Sequence, residues 1–133
     1  MAHQPIWGEL VVVALKANAR DIDPYCVFRV GNVVKRTKAD QGGGLHPIWD
    51  DQVNIPVAAG QHQMVVQIYN KDSNPANLMA DGVIELNKVL REKEHDGYFS
   101  LSTRGRPGPG KIYLELTFYP SVSVLMSRVP LFC

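Results

Sequence analysis

The chain has 133 residues, of which 45% are hydrophobic and 20% charged, with a formal net charge of +1. That length suits one domain that buries a core without disulfides or metals. Charge this close to neutral excludes the global electrostatic pull of a nucleic-acid binder, so any basic surface must be local.

The two cysteines, Cys26 and Cys133, stand far apart and do not read as a disulfide framework. Residues 1–7 lack the basic-then-apolar pattern of a signal peptide. The longest apolar run, residues 10–15, is too short to span a bilayer. These features place the expected protein in a reducing, cytoplasmic setting.

In chain order, residues 8–15 (GELVVVAL) form a short valine-rich run, which predicts a buried strand. Residues 21–24 (DIDP) are a turn, and 25–30 (YCVFRV) a second strand. Gly31-Asn32 is a compact hairpin turn into a third strand, 33–39 (VVKRTKA), with basic residues on it. Residues 40–47 (DQGGGLHP) predict a loop, because three successive glycines offer no side chains to pack. Val53, Ile55 and Val57 alternate at period two within a strand over 51–57, and 63–70 (QMVVQIYN) is the next. A long polar loop over 71–80 ends in Leu78-Met79, and strand resumes at 81–86. Residues 87–94 (NKVLREKE) are the one helical stretch, about two turns. A short strand at 98–101 and a loop at 103–110 precede the last strand, 111–119, where Ile112, Leu114, Leu116 and Phe118 share a face.

Eight strands at regular spacing with one short helix near 87–94 predict an all-β fold, an antiparallel sandwich. The expected organisation is an N-terminal extension at 1–7, a sandwich domain at 8–120 and an apolar tail at 121–133.

Several motifs then carry a family resemblance. Asp23-Pro24-Tyr25, the basic strand Lys35-Arg36-Thr37-Lys38, His46-Pro47-Ile48-Trp49-Asp50 and Asp81-Gly82-Val83-Ile84 stand in the order of a C2 domain, over roughly residues 8–120. The wording of residues 26–30, 35–38 and 46–51 is similar to fungal C2 proteins of the ingression and cytokinesis type, with small plant C2 proteins as a second neighbour. The strand order, opening directly with 8–15, resembles the permuted C2 topology, in which the first strand of the other topology stands at the C-terminus.

The resemblance implies a module that docks on anionic phospholipids or phosphoinositides as a peripheral membrane protein. Its implied contacts are the basic residues Arg29, Lys35, Arg36 and Lys38, with Leu78 and Met79 as an apolar loop tip. Alternation puts Arg36 and Lys38 on one face and Lys35 on the other. The plain alternatives are a charged edge strand that resists aggregation and a Leu78-Met79 pair packed under its loop.

The family's calcium site is a set of loop aspartates, since calcium takes six to eight oxygens, several of them anionic. Here Asp23 and Asp72 match ligand positions, and Asn70 stands where a carboxylate belongs. Asp21 and Asp81 lie near the remaining positions without matching them, and Asp23 reads equally well as a loop cap. This degenerate set implies weak or absent calcium binding and no required cofactor.

The competing readings are a protein-interaction adaptor and a calcium-dependent phospholipid binder. No nucleic acid or small-molecule substrate is expected. Residues 105–111 (GRPGPGK) fit a phosphate-loop spacing, but Ile112 replaces the hydroxyl and a strand follows instead of a helix. His3, His46, His62 and His95 are dispersed, so no catalytic constellation and no enzyme activity are expected.

Overall fold

The computed structural model describes residues 6–18, 24–38, 48–70, 77–103 and 109–121. Eight strands and one helix follow in order: β1 Ile6–Asn18, β2 Pro24–Val30, β3 Val33–Arg36, β4 Ile48–Ala58, β5 Gln63–Asn70, β6 Asn77–Glu85, α1 Asn87–Glu92, β7 Glu94–Thr103 and β8 Pro109–Pro120. All strand pairs are antiparallel, in the spatial order β3-β2-β5-β6-β7-β8-β1-β4. The β6–β7 seam has only two rungs, Ala80 with Thr103 and Asp81 with Ser102. It is the corner where one four-stranded layer turns into the other, and the eight-stranded sandwich read from the sequence is the observed fold.

Alternation builds the core. Cys26, Phe28 and Val30 of β2 and Met64, Val66 and Ile68 of β5 face Leu10 and Val12 of β1, Ile55 of β4, and Ile112, Leu114 and Leu116 of β8, all fully buried. Side chains of this size each contribute about 1.5–3 kcal/mol when taken out of water. Gly82 sits at the corner because a Cβ there would come within 2.8 Å of the Ser100 carbonyl oxygen. The first and last strands pair along their length, Gly8 with Pro120 through to Asn18 with Lys111. The permuted order thus brings residues near both ends of the chain together.

Several boundaries differ from the sequence expectation, and β7 runs over Glu94–Thr103 where a short strand at 98–101 is expected. Strand β3 stops at Arg36 instead of running to 39. Beyond it the Thr37 N–H still reaches the Cys26 carbonyl (2.9 Å), but the Thr37 hydroxyl takes the Cys26 N–H (3.0 Å) and the Lys38 N–H goes to the Asp51 carboxylate (2.9 Å), so side chains take over half of the ladder. Strand β6 starts at Asn77, inside the expected loop, because Asn77, Leu78 and Ala80 find partners on β5. The helix ends at Glu92, where Lys93 adopts a left-handed conformation (φ 74°), and Glu94 already pairs with Thr117. At the start of the chain, β1 already includes Ile6 and Trp7. At the other end Ser121 donates its N–H to the Trp7 carbonyl (2.7 Å), which holds it against β1.

The two ends of the sandwich differ. Asn18, Pro24, Ile48, Asn70, Asn77, Thr103 and Pro109, the strand ends that flank residues 19–23, 39–47, 71–76 and 104–108, all lie at one end. The opposite end carries Gly31-Asn32, the turn after β4 and helix α1.

Candidate functional site

The outer face of the β3-β2-β5-β6 layer is where the register collects functional side chains. Residues directly opposite one another in an antiparallel pair share a face. Across the layer one row reads Val34, Arg29, Val65 and Val83, and the next reads Arg36, Val27, Gln67 and Asp81. A third, nearer the loop end, reads Tyr25, Tyr69 and Leu78.

The polar groups are held by specific contacts. The Tyr25 and Tyr69 rings stack with centroids 5.6 Å apart and planes 17° apart. The Arg36 guanidinium lies 4.9 Å over the Tyr25 ring, a cation–π contact worth roughly 0.5–1 kcal/mol at an exposed site. Arg29 donates from Nε to Gln67 Oε1 at 2.6 Å, one of five guanidinium donors. A fixed, planar guanidinium with free N–H groups can bind an oxyanion bidentately, and the aromatic shelf limits the entropy lost in doing so.

The structure distributes the predicted contact residues unequally. Arg29, Arg36 and Leu78 come together on this face. Lys35 is in phase with Phe28, so it belongs to the inner side of edge strand β3, where its side chain reaches solvent. Lys38 lies beyond the strand, exposed, with its backbone bonded to Asp51 of β4. Leu78 and Met79 form no loop tip: both are half-buried in β6, Leu78 opposite Tyr69 and Met79 at a register shift.

The calcium candidates separate likewise. Asp21, Asp23 and Asp72 lie outside the described residues. Asn70 ends β5, paired with Pro24 and Asn77 at the loop end. Asp81 is four residues further along β6, opposite Gln67 and Ser102, roughly 13 Å from that end at the usual rise. It belongs to the sheet face, at the β6–β7 corner. Among the described residues no group of three or more His, Cys, Asp or Glu could hold a metal. Calcium affinity rests on carboxylate charge converging from the loops, and at Asn70 the sequence offers an amide in its place.

Tyr69 and Gln67 are not singled out by sequence reasoning, and Tyr25 enters there only as the end of the Asp-Pro-Tyr motif. The phase of Tyr25 with Arg29 is legible within one strand, whereas Tyr69 and Gln67 become neighbours only through the β2–β5 register.

A two-layer antiparallel sandwich whose first and last strands pair, with a cationic, aromatic-lined sheet face and its long connections at one end, is the architecture of a C2 domain. The C2 domain family model matches residues 8–101, and the chain belongs to that family. Among known proteins it is 29% identical over 108 residues to the ingression protein fic1 of Schizosaccharomyces pombe, covering 79% of this chain and 39% of that protein. It is 28% identical over 96 residues to extended synaptotagmin-2-A of Xenopus laevis, covering 71% of this chain and 10% of that protein. The chain therefore spans well under half the length of these relatives. Of solved structures, a C2 domain-containing protein superposes with a TM-score of 0.77 at 21% identity, covering 91% of this chain and 95% of that one. The calcium-bound C2A and C2B domains of extended synaptotagmin 2 give 0.73 at 22% identity, over 94% of this chain and 51% of that one. At such identities the superpositions bear on the fold alone.

Proposed function

We propose that this C2 domain is a non-enzymatic module that docks on anionic membranes, phosphoinositide headgroups included, through the outer face of β3-β2-β5-β6, with little or no dependence on calcium. The observation that carries the reading is the Arg36 guanidinium held on the Tyr25 ring beside the Tyr25–Tyr69 stack, with Arg29 on the same face. Similarity to extended synaptotagmin-2-A and to a multiple C2 and transmembrane domain-containing protein of Drosophila melanogaster supports a setting at membranes. Among the described residues no helix is long and apolar enough to cross a membrane, so contact through this face would be peripheral. The amide at Asn70 supports the weak role given to calcium.

Each cation near an anionic surface contributes about 1 kcal/mol, so Arg36→Glu, which removes one and adds a repulsion, costs about 2 kcal/mol. The expected outcome in vesicle sedimentation with phosphatidylserine and phosphoinositide is a drop in binding of roughly thirtyfold. Wild-type binding should change little when calcium is replaced by chelator. Binding seen only with calcium, or unaltered by Arg36→Glu, would sink the proposal.

A second reading, a protein-interaction adaptor, is favoured by Val34 and Val83, which flank the same face at 49% and 58% exposure. No vesicle binding in either condition would select it, and the likeness to an ingression protein would then direct the search for a partner to septation.

A further inference from the structure

A cleft of about 330 Å³ opens at the helix end of the sandwich, away from the long connections. Its apolar surface comes from Trp7, Leu90, Phe118 and Pro120, and its rim from His62, Arg91 and Lys93. Asn87 completes the lining, which contains no carboxylate.

Several contacts shape it. The Trp7 ring meets His62 edge-on at 5.5 Å. Lys93 is the only described non-glycine residue with positive φ, a conformation that side-chain-bearing residues resist. In that conformation its N–H caps the helix at Val89, its carbonyl accepts the Phe118 N–H, and its Nζ reaches the Leu90 carbonyl at 2.8 Å. The same ammonium stands 5.5 Å from the Phe118 ring centre. A cation is thereby fixed over the aromatic floor. The hydrogen bond from Arg91 is the main cause that holds the Glu92 carboxyl below its ordinary range, with Lys88 adding to it. The Arg91–Glu92 pair itself is solvent-exposed, and such pairs contribute little, so Arg91 can exchange Glu92 for another carboxylate.

We infer that this cleft is a second docking site, which takes a protein segment with an apolar or aromatic residue flanked by aspartate or glutamate. The apolar side chain would lie between Trp7, Leu90 and Phe118, and its acidic neighbours would meet Arg91 and Lys93. A tryptophan-lined pocket with a cationic rim matches the way a few anchors dominate peptide recognition. The cleft and the basic sheet face lie on different parts of the surface, so a domain held on a membrane by one could hold a partner with the other.

The test uses the full chain and a fluorescent peptide with a phenylalanine–leucine centre between runs of glutamate, followed by anisotropy and tryptophan emission. The expected result is micromolar binding that falls about tenfold in Arg91→Glu, a rim change exposed enough to spare the fold, while Arg36→Glu leaves it unchanged. A lysine-flanked peptide of the same centre should not bind, and vesicle binding should be the same in Arg91→Glu as in wild type. Absence of peptide binding, equal binding of both peptides, or loss in Arg36→Glu in place of Arg91→Glu would overturn the inference. So would competition by anionic vesicles that persists in Arg36→Glu, which assigns the cleft to lipid. A shift in tryptophan emission on removing residues 122–133 with no peptide present would assign it to the chain's own tail, with the same consequence.

Discussion

Thr37 is the buried polar side chain of the described residues, 2% exposed, and its hydroxyl does two things at once. It accepts the Cys26 N–H and donates to the Lys38 carbonyl at 2.9 Å, closing the ladder where β3 leaves the sheet. Thr37→Val keeps the shape and leaves a buried N–H unpaired, which costs about 1–3 kcal/mol. The expected outcome is a lower midpoint in urea unfolding with an unchanged slope. Cys26 is a second case. Burial raises its thiol pKa well above the ordinary value, with a smaller opposing effect from a backbone hydrogen bond at Val27. The native thiol should therefore resist alkylation at neutral pH and react once the chain is unfolded. Because the folded pKa is the higher one, the unfolded chain loses its proton first as pH rises. The associated stability is intact below the unfolded thiol's value of about 8.5 and is lost progressively above it. Cys26→Val should remove that part of the alkaline destabilisation, measured as urea midpoints in both chains from pH 7 to above about pH 9.

At the scale of elements, the β1–β8 pair depends on Gly8. A Cβ there would overlap the Tyr119 carbonyl oxygen and stand 2.8 Å from the Phe118 ring. Gly8→Ala must push β8 away from β1 and should cost about 1–3 kcal/mol, seen as a fall in thermal midpoint. The glycine is visible in the sequence, but the reason for it is not, because the atoms it avoids lie more than a hundred residues away. The same limit applies to the boundaries. The strand cores at 10–14, 26–30, 53–57, 64–68 and 112–118 were legible because burial on one face imposes period two. The end of β3, the start of β6 and the end of α1 were not. They depend on Asp51 reaching Lys38, on β5 offering partners to Leu78 and Ala80, and on the left-handed turn at Lys93.

Over the whole molecule, the pairing of β1 with β8 makes a topological prediction. Ser121 Oγ lies 3.0 Å from the Ile6 carbonyl oxygen, so a short linker could join these residues. A circular permutant that closes Ser121 to Ile6 and opens between Thr103 and Pro109 would begin with β8, the order of the other C2 topology. It should retain cooperative unfolding and the same far-ultraviolet spectrum, because every strand keeps its neighbours. Failure to fold would mean that the β7–β8 connection, and not strand pairing alone, is needed.

The C2 sandwich and its basic residues were determined by the sequence, because hydrophobic alternation and turn chemistry are local in the chain and each strand reports its own buried face. Which basic residues share a surface was decided only by tertiary structure. Arg29 and Arg36 meet because β2 and β3 pair in one particular register, and the Tyr25–Tyr69 shelf exists because β5 lies beside β2. Lys35 and Asp81 show the converse. Residue type alone makes one a lipid contact and the other a metal ligand, yet strand phase sends Lys35 to the sheet edge and register sets Asp81 on the basic face. The cleft at Trp7 was not legible at all. Its lining comes from β1, β8, α1 and the turns beside them, and only closure of the sandwich brings those segments within reach of one another.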